Sequence, residues 1–442
     1  MKGVLSPPAL PWRQHLERLG QGCASLGLYL LAFGALYKVS WGNAALGFLL
    51  LAALAGLVTQ PKAWRRQFLV ILLLGYWLAL VASSLQARHL HPHEVRLISK
   101  AAWAASYRGP LMIVLVAWAT HVARPKVAVL LALLAGGFAL RILTRMDAVT
   151  WHGLLSGHAR ATFGNAATLF GLWCGGCLVG LAAHAPCFWH GQKMRHVRMV
   201  IWLVGLGFFA AGLVASGARL AWLATTGVLL AMAWPRRTMS HEPDMAPQAR
   251  AGRLGIVITV LVLSVVALSQ RAGIALRLEE SSQVIRQVLT EGRLPDQGRS
   301  SLQIRLRLTG WAWRHIGQHP VLGHGPGTMA PLLESDGFKD EAGKPYRHVH
   351  DSYLQLALEL GVVGLGLYAL LAVVVVRALQ RAPLAQPQRT TLAAGLVLYA
   401  LCALGDEVLA SYHGGFVLAL LAGLPCGATW ERLSLQIGTT HA

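Results

Sequence analysis

Arginine side chains that could bind an anionic group lie at separated points of the chain. Arg219 stands between two apolar runs, where a permanent charge is costly unless it faces a cavity or a partner. Arg160 precedes another apolar run, and Arg305 and Arg307 lie in a long polar segment. Because arginine forks bind phosphate oxygens in pairs, these residues predict a phosphorylated substrate at one membrane face. The alternatives are a snorkelling arginine for Arg219 and an ordinary interfacial arginine for Arg160.

The candidate base is His350, which lies just before a long apolar run. An imidazole can accept a proton near neutral pH, so His350 could activate a hydroxyl nucleophile. His348 competes for this role as a base or a substrate contact, and a solvated loop histidine is the alternative for both. Asp351 or another acidic neighbour could orient the base, but we do not assign that role to Asp351.

Acidic residues supply few further candidates. Glu359 and the pair Asp406-Glu407 lie in or beside apolar runs, where they are either functional or structural hydrogen-bonding groups. The histidines at 89, 91 and 93 have a spacing that fits no helix face, and Pro92 interrupts them, so we expect a polar loop there. We find no convincing set of Asp, Glu and His metal ligands on the outer face of the membrane. The sequence therefore predicts no metal and no cofactor.

The elements that carry these residues are apolar helices. The chain is 55% hydrophobic and 13% charged, whereas a soluble domain carries roughly 25% charged residues. Runs of about 20 apolar residues match the thickness of a bilayer. We predict an all-α polytopic membrane protein with about twelve spans. They lie near residues 22–40, 43–59, 67–86, 109–124, 127–145, 165–185, 199–216, 219–235, 253–270, 352–377, 391–410 and 414–430.

Charge distribution predicts the orientation and three regions. With a cytoplasmic N-terminus, the short loops on the inner side are all basic, which explains about half of the basic residues behind the net charge of +21 and argues against a nucleic-acid partner. Residues 1–270 hold spans one to nine, 271–351 form a periplasmic loop, and 352–442 hold spans ten to twelve. The loop is expected to be a small helical cap, with an amphipathic helix over Leu302–His315 and a short helix at Met329–Leu333.

Four sequence elements resemble, in order, those of the O-antigen ligase/polymerase superfamily. The first two are Arg160…Phe163-Gly164-Asn165 and Ser216-Gly217-Ala218-Arg219. The third runs from Arg307 and Trp311 to His319-Pro320-Val321-Leu322-Gly323-His324-Gly325, and the fourth from His350-Asp351 to Glu359-Leu360-Gly361-Val362-Val363-Gly364. They cover residues 160 to 365. The family more often has Asn after the His, and Ala218 stands where it has a second Ser.

The resemblance implies a glycosyltransferase of the GT-C type in the bacterial inner membrane, with its active site facing the periplasm. It implies a donor polysaccharide linked to undecaprenyl pyrophosphate, lipid A–core oligosaccharide as acceptor, and inversion at the anomeric carbon without a metal. By the same resemblance Arg160 and Arg219 would hold the pyrophosphate, and His350 would deprotonate the acceptor. An O-antigen polymerase, or a pilin or protein O-oligosaccharyltransferase, would use the same donor. A lipid-linked sugar flippase is the non-enzyme alternative.

Overall fold

The computed structural model describes residues 11–65, 67–147, 162–163, 166–189, 194–234, 246–269, 271–291, 301–339, 343, 346–409 and 411–433. Within these ranges the chain forms α-helices joined by turns and short 3₁₀ segments, with no β-strand element. The helices are α1 Pro11–Tyr37, α2 Val39–Thr59, α3 Pro61–Arg65, α4 Phe68–Leu90, α5 Val95–Arg108, α6 Pro110–Ala123, α7 Val127–Arg145, α8 Ala167–Trp189, α9 Arg195–Ala215, α10 Arg219–Ala233, α11 Ala246–Ser269, α12 Arg271–Glu291, α13 Ser301–Gln318, α14 Met329–Ser335, α15 Ser352–Arg381, α16 Gln386–Ala403 and α17 Tyr412–Ala428.

Every predicted span coincides with one of these helices. In the described part of the chain, eight helices are long and apolar enough to cross a membrane, namely α1, α2, α4, α7, α8, α9, the 251–269 part of α11, and α15. Helices α10 and α17 are apolar but shorter. The prediction of a multi-pass membrane protein is confirmed, while the number of twelve spans stays a prediction.

The connection between α4 and α6 differs from the expected loop. The helix α5 occupies most of it and packs against both of these neighbours. Its sequence alternates basic and apolar residues, with Trp103 exposed and Ile98 buried. An amphipathic helix with positive charges on its polar side is suited to lie along a membrane surface. A search for unbroken apolar runs does not detect α5, because only one face of this helix is apolar.

The cap contains both helices that the sequence predicts there. Helix α13 extends the expected Leu302–His315 by a turn and ends before His319-Pro320, and α14 extends Met329–Leu333 by two residues. Helix α12 lies in the first part of the polar segment 271–351. A small apolar cluster holds the cap together, and it includes Leu358 of α15. The cap is therefore built onto a spanning helix.

A break in α15 is where the cap is attached. Gly361 has a φ of 63°, which interrupts the helix and frees carbonyl groups in the preceding turn. The amide of His324 donates to the Leu358 carbonyl at 2.7 Å, and the amide of Gly325 donates to the Glu359 carbonyl at 3.1 Å. A side chain at Gly361 would collide with the Val321 carbonyl. The glycine-rich turn of the cap thus replaces a missing turn of the spanning helix.

Candidate active site

His350 and Asp406 form the centre of the site. His350 lies between the cap and α15 with a φ of 56°, a left-handed conformation that is uncommon outside glycine. Its Nδ1 atom lies 3.5 Å from Oδ1 of Asp406, in the connection between α16 and α17. Such a long separation is common in ligand-free catalytic sites. Nδ1 of His350 is buried and makes no hydrogen bond to the residues that the structure describes, so its approach to Asp406 is a close contact between the imidazole and the carboxylate.

Ser352 ties the two loops of this pair together. Its hydroxyl donates to the Asp406 carbonyl at 2.7 Å and accepts from the amide of Val408 at 2.8 Å. Ser352 is the first residue of α15 and is buried. The helix that follows His350 is thereby hydrogen-bonded to the connection that carries Asp406. These bonds fix the positions of His350 and Asp406 relative to each other.

Asp406 is held in its ionised form. Burial alone would raise its pKa, but the His350 ring, the Glu407 amide and the Thr168 hydroxyl together overcome burial and lower the pKa of Asp406 to about 2. The Glu407 amide donates to Oδ1 at 2.9 Å. A carboxylate that is charged at neutral pH can orient the imidazole and stabilise its protonated form.

Asp351 has a different task. Its Oδ1 atom accepts hydrogen bonds from the amides of Tyr353 at 2.8 Å and Leu354 at 3.0 Å. This is an N-cap, which satisfies amides that the first turn of a helix leaves without partners. The structure thus agrees with withholding the orienting role from Asp351. Sequence reasoning recognised Asp406 only as a buried charge, because no spacing connects it to His350.

His348 lies against the same pair. Its ring centroid is 4.3 Å from that of His350, and its Nε2 lies 3.9 Å from Oε2 of Glu407. Burial, followed by repulsion from His350 and Arg305, lowers the pKa of His348 to about 4, although Asp406 acts in the opposite direction. His348 is therefore neutral at neutral pH. Of the two histidines that are candidates for the base, only His350 lies within 3.5 Å of the Asp406 carboxylate.

Two of the predicted arginine segments converge next to Asp406. A side chain at Gly405 would collide with Leu220, the neighbour of Arg219, and would lie 3.3 Å from Nη1 of Arg305. Arg305 therefore lies close to the Asp406 connection, and the first turn of α10, which Arg219 begins, packs against it. The chain enters α10 through a turn in which the Ser216 hydroxyl accepts from the amide of Ala218 at 3.1 Å.

The other two predicted arginines are not placed in this group. Arg307 is exposed, and at about 100° per residue it lies roughly 200° around α13 from Arg305. Its role as a substrate contact stays a prediction. Arg160 lies outside the described residues, as do Gly164 and Asn165 of the same element. Within that element the structure describes Phe163, whose φ is 48°.

The site contains a set of atoms that could hold a metal ion. His348, His350 and Asp406 each offer a ligand atom, and these atoms all lie within 4.8 Å of one another. The statement that this face lacks a ligand set was wrong, because the connection after α16 brings Asp406 to the two histidines. The arrangement also suits proton transfer, so it does not by itself indicate that a metal takes part in the reaction.

Two cavities adjoin the site. An apolar groove of about 960 Å³ runs between α15, α16 and α10, from Tyr353 and Leu409 near the site to Gln380 and Arg389 at the far end. A smaller cavity of about 210 Å³ lies under the cap, with polar side chains that include Gln355, Glu359 and Glu407 in its lining. Gln355 donates to Glu359 at 2.7 Å. One cavity suits an aliphatic chain and the other a hydroxylated group.

Comparison with known protein families gives a match over the middle of the chain. Residues 203–369 match the family model described as O-Antigen ligase. The matched stretch contains Arg219, the cap and the segment from His348 through the Gly361 break, but it ends before Asp406. No match is found among curated proteins.

Proposed function

We propose that this chain, whose residues 203–369 match the O-antigen ligase family model, is a member of that superfamily and transfers polysaccharide from undecaprenyl pyrophosphate to the lipid A–core oligosaccharide of lipopolysaccharide. The family match supports a membrane enzyme that acts on lipid-linked polysaccharide. The donor, the acceptor and the site residues are our proposal. It rests mainly on one observation, the 3.5 Å contact between His350 and Asp406 beside the Arg305 side chain.

His350 acts as the general base in this proposal. Asp406 faces Nδ1, which favours the tautomer that carries its proton there and leaves Nε2 to accept one. A sugar hydroxyl of the acceptor gives its proton to Nε2 as its oxygen attacks the anomeric carbon of the donor. Asp406 stabilises the imidazolium that forms. A positioned base of this kind contributes roughly 10²–10⁴-fold to the rate.

The arginines stabilise the leaving group. As the new glycosidic bond forms with inversion, the bond between the anomeric carbon and the phosphate oxygen breaks, and undecaprenyl pyrophosphate leaves with the electron pair. Negative charge therefore builds on the diphosphate. We assign Arg219 and Arg160 to this diphosphate, with Arg305 as a third cation beside Asp406. Fixed guanidinium groups in a cleft of low dielectric can stabilise such charge without a metal.

The apolar groove supports a lipid-linked donor. It begins beside Tyr353, one residue from Ser352, and its lining is largely aliphatic. A polyprenyl chain in this groove would present its diphosphate at the height of the His350–Asp406 pair. The basic loops at the other end of the helices support an orientation in which this end faces the periplasm. Residues 271–351 would then form a periplasmic cap over the reaction.

The competing functions make different predictions. An O-antigen polymerase, or an enzyme that glycosylates pilin, would use the same donor, so only the acceptor separates them. A flippase needs no general base, and transporters usually place their charges near the middle of the membrane. Here His350, Asp406 and Arg305 are grouped at one end of the helices.

A deletion strain and a purified assay test the proposal together. Deletion should leave full-length polysaccharide on the lipid carrier, and the purified protein should transfer it to lipid A–core. Lipopolysaccharide that carries a single repeat in the deletion strain would identify a polymerase instead. Unmodified pilin in that strain, with normal lipopolysaccharide, would identify a protein glycosylation enzyme. Normal glycans throughout would remove the proposal.

A further inference from the structure

Arg141 is a buried cation within the spanning helix α7. It is 3% exposed, and a charged group inside an apolar span is costly unless several partners hold it. Its Nη1 atom donates to the Leu36 carbonyl at 3.1 Å and to Nε2 of His413 at 2.8 Å. Its Nη2 atom donates to the Phe163 carbonyl at 3.3 Å. Arg141 therefore connects the end of α1, the start of α17 and the segment that leads into α8.

The partner histidine belongs to the same network. Nδ1 of His413 lies 2.5 Å from the Ala35 carbonyl, so this nitrogen carries the proton and Nε2 accepts from Arg141. This assignment follows from the hydrogen-bond pattern. With both nitrogens engaged, His413 has no nitrogen left for a substrate. The network around Arg141 thus serves to fix backbone positions.

Phe163 is the point at which this network acts on α8. Arg145 also donates to its carbonyl, at 2.9 Å, so two guanidinium groups hold one oxygen atom. Phe163 has a left-handed φ of 48°, which persists only where the surroundings hold it. Its ring lies 5.3 Å from that of Phe170, in the first turn of α8. Two residues before Phe170, the Thr168 hydroxyl interacts with Asp406.

We propose that Arg141 and Arg145 are positioning residues for the active site. By fixing Phe163 against Phe170 they set the first turn of α8, so that Thr168 holds Asp406 toward His350. This inference rests on the proposed function of the His350–Asp406 pair. Neither arginine touches the substrate in this account. Their loss should weaken the rate of transfer and leave the affinity for the donor unchanged.

Arg145→Ala is the main test, because Arg145 is exposed and its removal leaves the buried contacts of Arg141 in place. Transfer to lipid A–core is measured with the full-length protein in nanodiscs. We expect kcat to fall about three- to tenfold, with KM for the lipid-linked polysaccharide unchanged. Thr168→Ala should do the same. The double variant Arg145→Ala/Thr168→Ala should be no slower than Thr168→Ala alone, since both substitutions act through the same chain of contacts to Asp406. Arg141→Lys should be as slow as Arg145→Ala, because the single ammonium nitrogen of lysine cannot span the acceptors that the two terminal guanidinium nitrogens reach.

Thr144→Ala is the matched control, because Thr144 is an exposed residue whose hydroxyl donates to the Leu140 and Arg141 carbonyls of its own helix. Wild-type kcat in Arg145→Ala, or losses that multiply in the double variant, would overturn the inference. An increase in KM alone would overturn it as well, since it would make Arg145 a donor contact. Wild-type transfer by His350→Ala would instead overturn the proposed role of the His350–Asp406 pair. The two failures are therefore distinguishable in one set of variants.

Discussion

Within the described part of the chain, His315–Asp336 and His350–Asp406 are histidine–carboxylate pairs of nearly equal length in very different surroundings. In the cap, Nε2 of His315 lies 3.4 Å from Asp336, while Nδ1 of the same ring lies 3.1 Å from the Trp311 carbonyl. Asp336 also accepts a hydrogen bond from the Trp311 indole at 2.6 Å. Both nitrogens of His315 thus face oxygen atoms of the protein. The pair braces α13 against the turn after α14.

The pair at the membrane surface is a single close contact. Nδ1 of His350 lies 3.5 Å from Asp406 and makes no hydrogen bond to the described residues. The side chain of Asp406 is 9% exposed against 41% for Asp336, and Asp406 stands beside the Arg305 side chain. A histidine and a carboxylate at hydrogen-bonding range are therefore not enough to identify a catalytic pair. The buried ionised carboxylate and the adjacent cation distinguish the proposed active pair from the structural one.

Removal of a cation from the active surroundings should have the largest effect. Arg219→Ala should abolish transfer, because the diphosphate loses charge stabilisation as it leaves. Arg219→Lys should rescue poorly, since lysine keeps the charge but lacks the planar fork. Transfer is measured with purified protein, and insertion is checked by expression level.

The matched control for Arg219 is Arg286→Ala, on the exposed surface of α12. It should leave transfer unchanged. Wild-type transfer by Arg219→Ala at normal expression would make Arg219 a snorkelling side chain and remove it from the site. Arg160→Ala should resemble Arg219→Ala if the two share the diphosphate.

The two histidines give the next largest difference. His350→Ala should reduce transfer roughly a hundredfold or more, because the acceptor hydroxyl loses its base. Binding of the donor should remain nearly intact, since the arginines hold it. His348→Ala should be milder. His315→Ala should leave the rate close to wild type, although it should loosen the cap.

The histidine assignment has two ways to fail. If His348→Ala is inactive and His350→Ala is active, the base is His348. If both variants are active, leaving-group stabilisation alone accounts for the rate. Equal losses in His350→Ala and His315→Ala would remove the distinction between the two pairs.

Replacement of the two carboxylates should have smaller effects. Asp406→Asn removes the charge that stabilises the imidazolium, so transfer should fall roughly tenfold or more. Asp336→Asn should leave the rate unchanged. A wild-type rate in Asp406→Asn would show that Asp406 serves only to bond the connection to Ser352.

The contrast between the pairs also shows what the sequence can reveal. Hydropathy predicted the apolar helices, and a proline marked the end of α13. His350 could be found because it directly precedes an apolar run. The link to Asp406 could not be predicted, because all of α15 and α16 separate the two residues and only tertiary packing brings them together.

Other features escaped prediction for related reasons. The amphipathic α5 lacks an unbroken apolar run. The glycine-rich turn after α13 was recognisable as a turn, but its bonds to the broken turn at Gly361 depend on a long-range contact. Arg141 lay within a predicted span and gave no signal, since its partners are backbone carbonyls and a distant histidine. Sequence patterns locate elements well and pairings between elements poorly.

The lowered pKa of His348 predicts a modest effect of pH on stability. Its folded-state pKa of about 4 lies below the ordinary value of 6.5, so the unfolded chain binds a proton in this window before the folded one does. Stability should therefore fall as the pH drops from about 6.5 towards 4. His348→Gln should lose less thermal stability between pH 7 and 5 than the wild type, by thermal unfolding in detergent. His93→Gln, at an exposed position, is the control, and an equal acid sensitivity in His348→Gln and wild type would contradict the prediction.

The smallest expected effect is that of chelation. Although His348, His350 and Asp406 could bind an ion, the proposed mechanism uses these groups for proton transfer and the arginines for charge stabilisation, so EDTA should leave transfer unchanged. Added Zn²⁺ should inhibit, because imidazole and carboxylate are good zinc ligands and a bound ion would occupy the base. The cap pair offers a weaker competitor, so His348→Gln should reduce zinc inhibition while His315→Gln should not. Transfer that is lost in EDTA and restored by magnesium or manganese would instead make this trio a metal centre, and His350 would then be a ligand and not the base.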